Sequence, residues 1–191
     1  MNEIRSKIED LLRSTERAGV EFMITYLGES GFYEAPCSAQ YHLACEGGLA
    51  QHSLNVYEVM EQMWSVFKPA VTLESVIITS LLHDVGKGGQ FDKPGYVENI
   101  LKSGKRSDKK PYMVNSELLN VPHEIRSLSI IGNRMNLTEE EYFAILYHNG
   151  LYGPLKYEIT GKETPLYLLL HFADMWASRV IEREDENDGE A

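Results

Sequence analysis

The chain holds six histidines, at positions 42, 52, 83, 123, 148 and 171, and their surroundings decide what they can do. His52 falls between Leu49 and Val56 on an apolar stripe at helical spacing, not on a wetted face. His83 and Asp84 close the most apolar stretch of the chain, LESVIITSLLHDV. Asp174 lies four residues after Leu170 and three before Ala177, on the inward side of a last helix. An ionised Asp buried without a partner costs several kcal/mol, so Asp84 and Asp174 each need a cation or strong donors. One shared metal centre would satisfy both carboxylates and the histidines together. Six His and seven Asp in 191 residues make a single His-Asp pair an ordinary chance event. The signal is the ordered series His52, His83-Asp84, His123, His148, Asp174, each near a helix end or on an inward face. Imidazole with carboxylate suits divalent Mn, Fe, Co, Ni or Zn, whereas Mg and Ca prefer all-oxygen sites.

Helices have to position these groups. Ile4, Ile8, Leu11 and Leu12 predict a first amphipathic helix, and Phe22, Met23, Tyr26 and Leu27 a short second one. Residues 28–47, with Gly28, Gly31, Pro36 and Gly47, read as an ordered loop. A long helix follows, with Leu49, Val56, Met60, Met63 and Phe67 on one face, stopping near Pro69. LESVIITSLLHDV is apolar nearly all round, which predicts a buried central helix closed by Gly86. Pro122 suits the first turn of another helix. Thr138 with Glu141 forms a capping-box signature for a helix stopping at Gly150. Thr164-Pro165 opens a last helix running to about Arg183. Residues 87–112 lack helical periodicity and carry seven Lys or Arg against three acids. The expectation is a single all-α bundle over residues 1–181, with at most a short strand pair within residues 111–121. Residues 182–191, EREDENDGEA, read as a solvated, frayed acidic tail.

Composition bounds the function. At 21.7 kDa, with 43% hydrophobic and 25% charged residues, the chain suits one ordinary globular domain. A formal charge of -11 argues against charge-driven duplex nucleic-acid binding, which needs a basic surface. It still allows an enzyme to draw a phosphate ester into one local positive site. Cys37 and Cys45 are too few for a disulfide framework or a four-Cys zinc site, and they fit a reducing compartment. The opening MNEIRSKIED has no apolar run, and the longest apolar stretches fall short of the roughly 20 residues that span a bilayer. A cytoplasmic protein without a membrane segment is expected.

The motifs YHLACEGGLAQHSLNVYE (Tyr41 to Glu58), LLHDVGK (Leu81 to Lys87), VPHE (Val121 to Glu124), YHNG (Tyr147 to Gly150) and LLHFADMWAS (Leu169 to Ser178) occur in this order. Together, over roughly residues 35–177, they resemble the HD superfamily of metal-dependent phosphohydrolases, helical domains named for the His-Asp pair. The EGGL segment ahead of His52 is most similar to compact HD proteins of bacteria and phages and to the HD part of certain three-prime exoribonucleases. The resemblance implies an HD-domain helical bundle in which His52, His83, Asp84 and Asp174 hold one metal. It further implies that Asp84 bridges to a second metal held by His123 and His148. The implied activity is hydrolysis of a phosphate ester of a nucleotide or oligonucleotide end by a metal-activated hydroxide, with one or two divalent transition metals per chain. Asp84 and Lys87 would be the catalytic residues, with Lys87 also holding a substrate phosphate. Arg126, one turn after His123, and Lys156 are further candidates for substrate binding. The basic stretch 87–110 would draw in a polyanion and act as a lid. His42 and His171 have no ligand slot in the pattern, though His171 is placed to hydrogen-bond a ligand. Tyr41, Tyr147 and Tyr157 are candidates to stack on substrate. Cys37 and Cys45 lie outside the ligand positions. The expected partner is a phosphorylated small molecule or a short single-stranded nucleic-acid end. Two other readings stand beside this one: a mononuclear nucleotide phosphatase or triphosphohydrolase using His52, His83, Asp84 and Asp174, and a non-catalytic nucleotide-sensing module with a structural metal.

Overall fold

The computed structural model describes residues 2–68, 70–153 and 156–183, and its helices gather around α4 (Leu73–Leu82). Residues 76–82 of α4 are all buried, as the near-continuous apolar pattern requires. Thr72 caps this helix by accepting a hydrogen bond from Ser75 N at 3.1 Å. One hydrophobic core forms where α1 (Asn2–Ser14), α2 (Val20–Glu29) and α5 (His123–Gly132) meet α3 (Gly48–Phe67) and α4. Ile8, Leu12, Met23, Leu27, Ile78, Leu82 and Ile131 lie in it. A second core joins α3, α6 (Glu139–Tyr147), α7 (Lys156–Ile159) and α8 (Pro165–Trp176) through Met60, Ala144, Ile159, Leu166 and Leu170. α4 divides the two cores, contributing Val76 to the second. Truncating a fully buried leucine such as Leu81 to Ala would cost about 2–5 kcal/mol. Phe22 and Phe67, expected on inward faces, are instead 73% and 69% exposed.

Three boundaries differ from the sequence reading, each for a physical reason. α4 ends at Leu82, not at Gly86: His83 keeps helical angles, but Asp84 (φ −105°, ψ 8°) leaves them, and Val85–Gly88 makes a 3₁₀ turn. Gly86 is needed there because the turn abuts the start of α5. A Cβ on Gly86 would lie 2.4 Å from His123 O, and its N–H donates to Ser127 Oγ at 2.9 Å. Pro122 is the cap of α5, not a residue of its first turn.

The fold is mostly helical, and its strands form two small antiparallel hairpins between the 3₁₀ turn and α5, one more than expected. β1 (Gly89–Gln90) pairs with β2 (Lys93–Pro94), and β3 (Tyr96–Glu98) pairs with β4 (Tyr112–Val114) in the register Tyr96↔Val114. The strand expected within residues 111–121 exists, but its partner lies upstream of that window. The third difference concerns the chain after α8. Thr164 and Pro165 start that helix as predicted, and after Trp176 it widens into a π-helical segment, Ala177–Ile181. The segment ends with Glu182 N donating to Ala177 O at 2.9 Å. Glu182, placed in the solvated tail by its acidic neighbours, is only 7% exposed. Residues 184–191 of that tail, and Pro69, lie outside the described residues. Among the described residues, no helix is long and apolar enough to cross a membrane.

Candidate metal centre

Five helices deliver donors to one place beside α4. His52 comes from the second turn of α3, His83 and Asp84 from the end of α4, and His123 from the first position of α5. His148 is the C-cap of α6, and Asp174 projects from α8. All six residues expected from the sequence are therefore brought together. His52 Nε2 lies 3.3 Å from Asp174 Oδ1 and 3.6 Å from Asp84 Oδ2, with His83 Nε2 3.4 Å from the same Asp84 oxygen. His123 Nε2 and His148 Nε2 lie 3.1 and 3.4 Å from the other oxygen, Oδ1. Asp84 thus stands between two pairs of imidazoles, one pair on each oxygen.

Groups behind the rings fix three of their tautomers. His83 Nδ1 is 2.8 Å from Ser80 O, and His148 Nδ1 is 2.7 Å from Ile145 O. A carbonyl only accepts, so each Nδ1 carries a proton, and in the neutral ring Nε2 keeps the lone pair. His52 Nδ1 is 3.0 Å from both carboxylate oxygens of Glu182, which sets the same tautomer. Burial opposes the Glu182 charge, but His52, Asn55 and His42 outweigh it and hold the carboxyl below its ordinary value. Asn55 Nδ2 also donates to Glu182 at 2.8 Å.

A bare Nε2 facing a carboxylate is an acceptor facing an acceptor. His52 Nε2, His83 Nε2 and both Asp84 oxygens are buried and lack a hydrogen bond of good geometry. Such atoms cost about 1–3 kcal/mol each when left unsatisfied, and a cation between them removes the conflict. The donor set therefore fits a divalent ion. His52, His83 and Asp174 offer ligand atoms within 4.8 Å of one another, and so do His83, Asp84 and His148. Without a metal, protons serve in part. Burial works against a charge on His52, yet Cys37, Asp174 and Glu182 hold its pKa well above the ordinary 6.5. Burial is likewise overridden at His148, raised by Asp84, whereas at His83 burial wins and lowers the value. Both Asp84 and Asp174 stay ionised: burial opposes this, but Lys87 and His83 act on Asp84, and His52 acts on Asp174.

The expected substrate-binding residues fare differently. Lys87 Nζ is 2.6 Å from Asp84 Oδ2, and its side chain is 17% exposed. Burial weakens that ammonium, but Asp84 overrides it and holds the pKa well above the ordinary range. Arg126 is engaged elsewhere, donating to Gln90 Oε1 at 3.1 Å and to Leu119 O at 3.0 Å, so it ties α5 to β1 and to the segment between β4 and α5. Lys156 stands over the Tyr157 ring at 5.1 Å, and among the described residues no hydrogen bond or ion pair joins it to the centre. Tyr41 and Tyr157 are 76% and 82% exposed, and Tyr147 packs on Phe143 beside the second core. His171 hydrogen-bonds the backbone of His148, its Nδ1 lying 2.7 Å from His148 O.

Four contributors were given no place in the centre by the sequence. Glu182 was hidden by its acidic neighbours. Asn149 follows His148 and turns its amide to within 3.3 Å of both His123 Nε2 and His148 Nε2 while donating to Glu124 at 2.6 Å. Adjacency to His148 was the available signal. Cys37 and His42 also approach His52, from a loop without periodicity. No protein-family model, curated protein or solved structure matches the chain.

Proposed function

We propose that the protein hydrolyses a phosphate ester, in a nucleotide or at an oligonucleotide end, at a divalent-metal centre. The ions would be held by His52, His83, Asp84 and Asp174 on one side and by Asp84, His123 and His148 on the other. The observation that carries this reading is Asp84, buried between two pairs of imidazole Nε2 atoms, with neither of its oxygens well hydrogen-bonded. Two overlapping donor groups favour a pair of ions over one. Bound there, Mn, Fe, Co, Ni or Zn supplies Lewis acidity, acidifying water and neutralising charge that grows on phosphoryl oxygens.

The chain's own residues supply the remaining functions. Lys87 keeps its ammonium at neutral pH and sits within reach of the centre, where it would bind a phosphoryl oxygen. Carbonyls at Ser80 and Ile145 and the Glu182 carboxylate hold three imidazoles in the donor tautomer, so no ring has to turn before use. His123, 29% exposed, and Asp174, 18% exposed, mark the side on which an ester enters. Lys102, Lys105, Arg106, Lys109 and Lys110 are exposed and give an otherwise acidic protein a local attraction for a polyanion.

The test is hydrolysis of bis(p-nitrophenyl) phosphate and p-nitrophenyl phosphate by protein loaded with each ion in turn. Wild type should turn over one of them and Asp84→Ala neither; full turnover by Asp84→Ala would refute the mechanism. Lys87→Ala should slow turnover with metal content unchanged, and loss of metal there would assign Lys87 to metal retention instead.

A further inference from the structure

On the Lys87 side, the centre is flanked by donors that neither proposed ion uses. Cys37 Sγ is 3.6 Å from His42 Nε2 and 4.0 Å from Lys87 Nζ, and the residue is fully buried. One ligand atom each from Cys37, His42 and His52 lie within 4.8 Å of one another. The rings of His42 and His52 are 5.1 Å apart. Glu182 stands behind both, with Oε2 3.0 Å from His52 Nδ1 and 3.5 Å from His42 Nδ1. One carboxylate therefore backs two imidazoles, and the other nitrogen of His42 is turned to the sulfur.

A buried cysteine is most often a small hydrophobe, and Cys37 does border the first core. Packing alone does not require its sulfur to meet an imidazole nitrogen and an ammonium. A cysteine sulfur with two imidazoles is the donor chemistry of Zn(II) and Co(II), not of Mg(II) or Mn(II). We infer that Cys37, His42 and His52 form a further metal site, selective for a thiophilic divalent ion. Its use releases the thiol proton to solvent. The site shares His52 with the His/Asp centre but does not depend on hydrolysis there. With Nδ1 of His52 held by Glu182, this site and the one that includes Asp174 would draw on the same Nε2. A soft ion settles toward the sulfur, and a hard one toward the carboxylates.

The experiment is titration of the metal-free full chain with Co(II), read in the near ultraviolet where thiolate-to-cobalt charge transfer absorbs. A saturating band is expected in wild type and in Cys45→Ser, and it should vanish in Cys37→Ser. His42→Ala should weaken the binding that produces the band by about 10-fold or more. A band that persists in Cys37→Ser overturns the site. Co(II) bound without any charge-transfer band overturns this site while leaving the His/Asp centre standing. If Cys37→Ser does not fold, X-ray absorption of Zn(II)-loaded wild type decides the question. One sulfur at about 2.3 Å from zinc is expected, and only nitrogen and oxygen neighbours would contradict it.

Discussion

Glu141 and Asp84 are carboxylates buried to the same degree, with side chains 0% and 1% exposed, yet their surroundings are opposite. Glu141 Oε1 accepts from Arg17 at 2.9 Å and from Ser75 Oγ at 2.7 Å, and Oε2 accepts from Arg17 at 3.0 Å and from Thr138 N at 2.8 Å. Each lone-pair direction has a donor, and three segments (the α1–α2 turn, α4 and the cap of α6) are tied at one point. Asp84 has Lys87 on one oxygen and imidazole nitrogens near both, yet neither oxygen has a hydrogen bond of good geometry. The contrast separates a carboxylate that completes the fold from one whose surroundings suit a cation. A fold that satisfies Glu141 so fully has the means to satisfy Asp84, which makes the exception at Asp84 informative.

The largest expected effect comes from attacking the unsatisfied member. Asp84→Ala should lose metal from both positions and abolish turnover, while the metal-free protein melts within a few degrees of wild type. With an ion at 100 times its Kd, wild type should gain about 2.7 kcal/mol and the variant nothing, measured by thermal melting. A large drop in metal-free stability would make Asp84 a structural residue like Glu141. Next in size, Glu141→Gln should cost about 3 kcal/mol in denaturant unfolding, since it leaves Arg17 without its buried partner. Metal content should not change.

That loss should depend on pH with a defined sign. Burial opposes the Glu141 charge, but Arg17, Thr138 and Ser75 override it and hold its pKa below the ordinary 4.5. A carboxyl depressed in the folded state stabilises fully above its unfolded value and loses that contribution as pH falls through the folded value. The gap between wild type and Glu141→Gln should therefore be constant above about pH 5 and shrink as pH drops below 4.5. A gap that grows on acidification would contradict the ion-pair account. Glu182→Gln falls lower on the scale. Losing the charged partner of His52 Nδ1 should weaken metal affinity by about 10–100-fold, and unchanged affinity would remove Glu182 from the centre. Smallest is Thr138→Ala, which removes the α6 cap for about 1 kcal/mol and should leave metal content intact.

The same contrast explains what the sequence made legible. His52, His83, Asp84, His123, His148 and Asp174 were readable because each breaks an apolar helical pattern or sits where one ends, and helical period is local information. Thr138 with Glu141 was readable as a capping box, and both hydrogen bonds of that box are present. Arg17 as the partner of Glu141 was not readable, since the pairing crosses 124 residues of chain. Glu182 was obscured by composition, and its position also depends on the π segment. At about 100° per residue an α-helix would carry Glu182 about 80° round from Asp174. The wider turn slows that rotation, so both carboxylates reach His52. The β3–β4 pairing was likewise non-local. Cys37 and His42 lie in a stretch with no period to fix a face.

The central claim is that Asp84 joins two donor groups that hold two ions. Its most direct test is elemental analysis of the purified full chain, wild type beside the double variant His123→Ala, His148→Ala. The account predicts about two metal equivalents per chain falling to about one. No bound metal, or a single equivalent that the double substitution leaves unchanged, would contradict it.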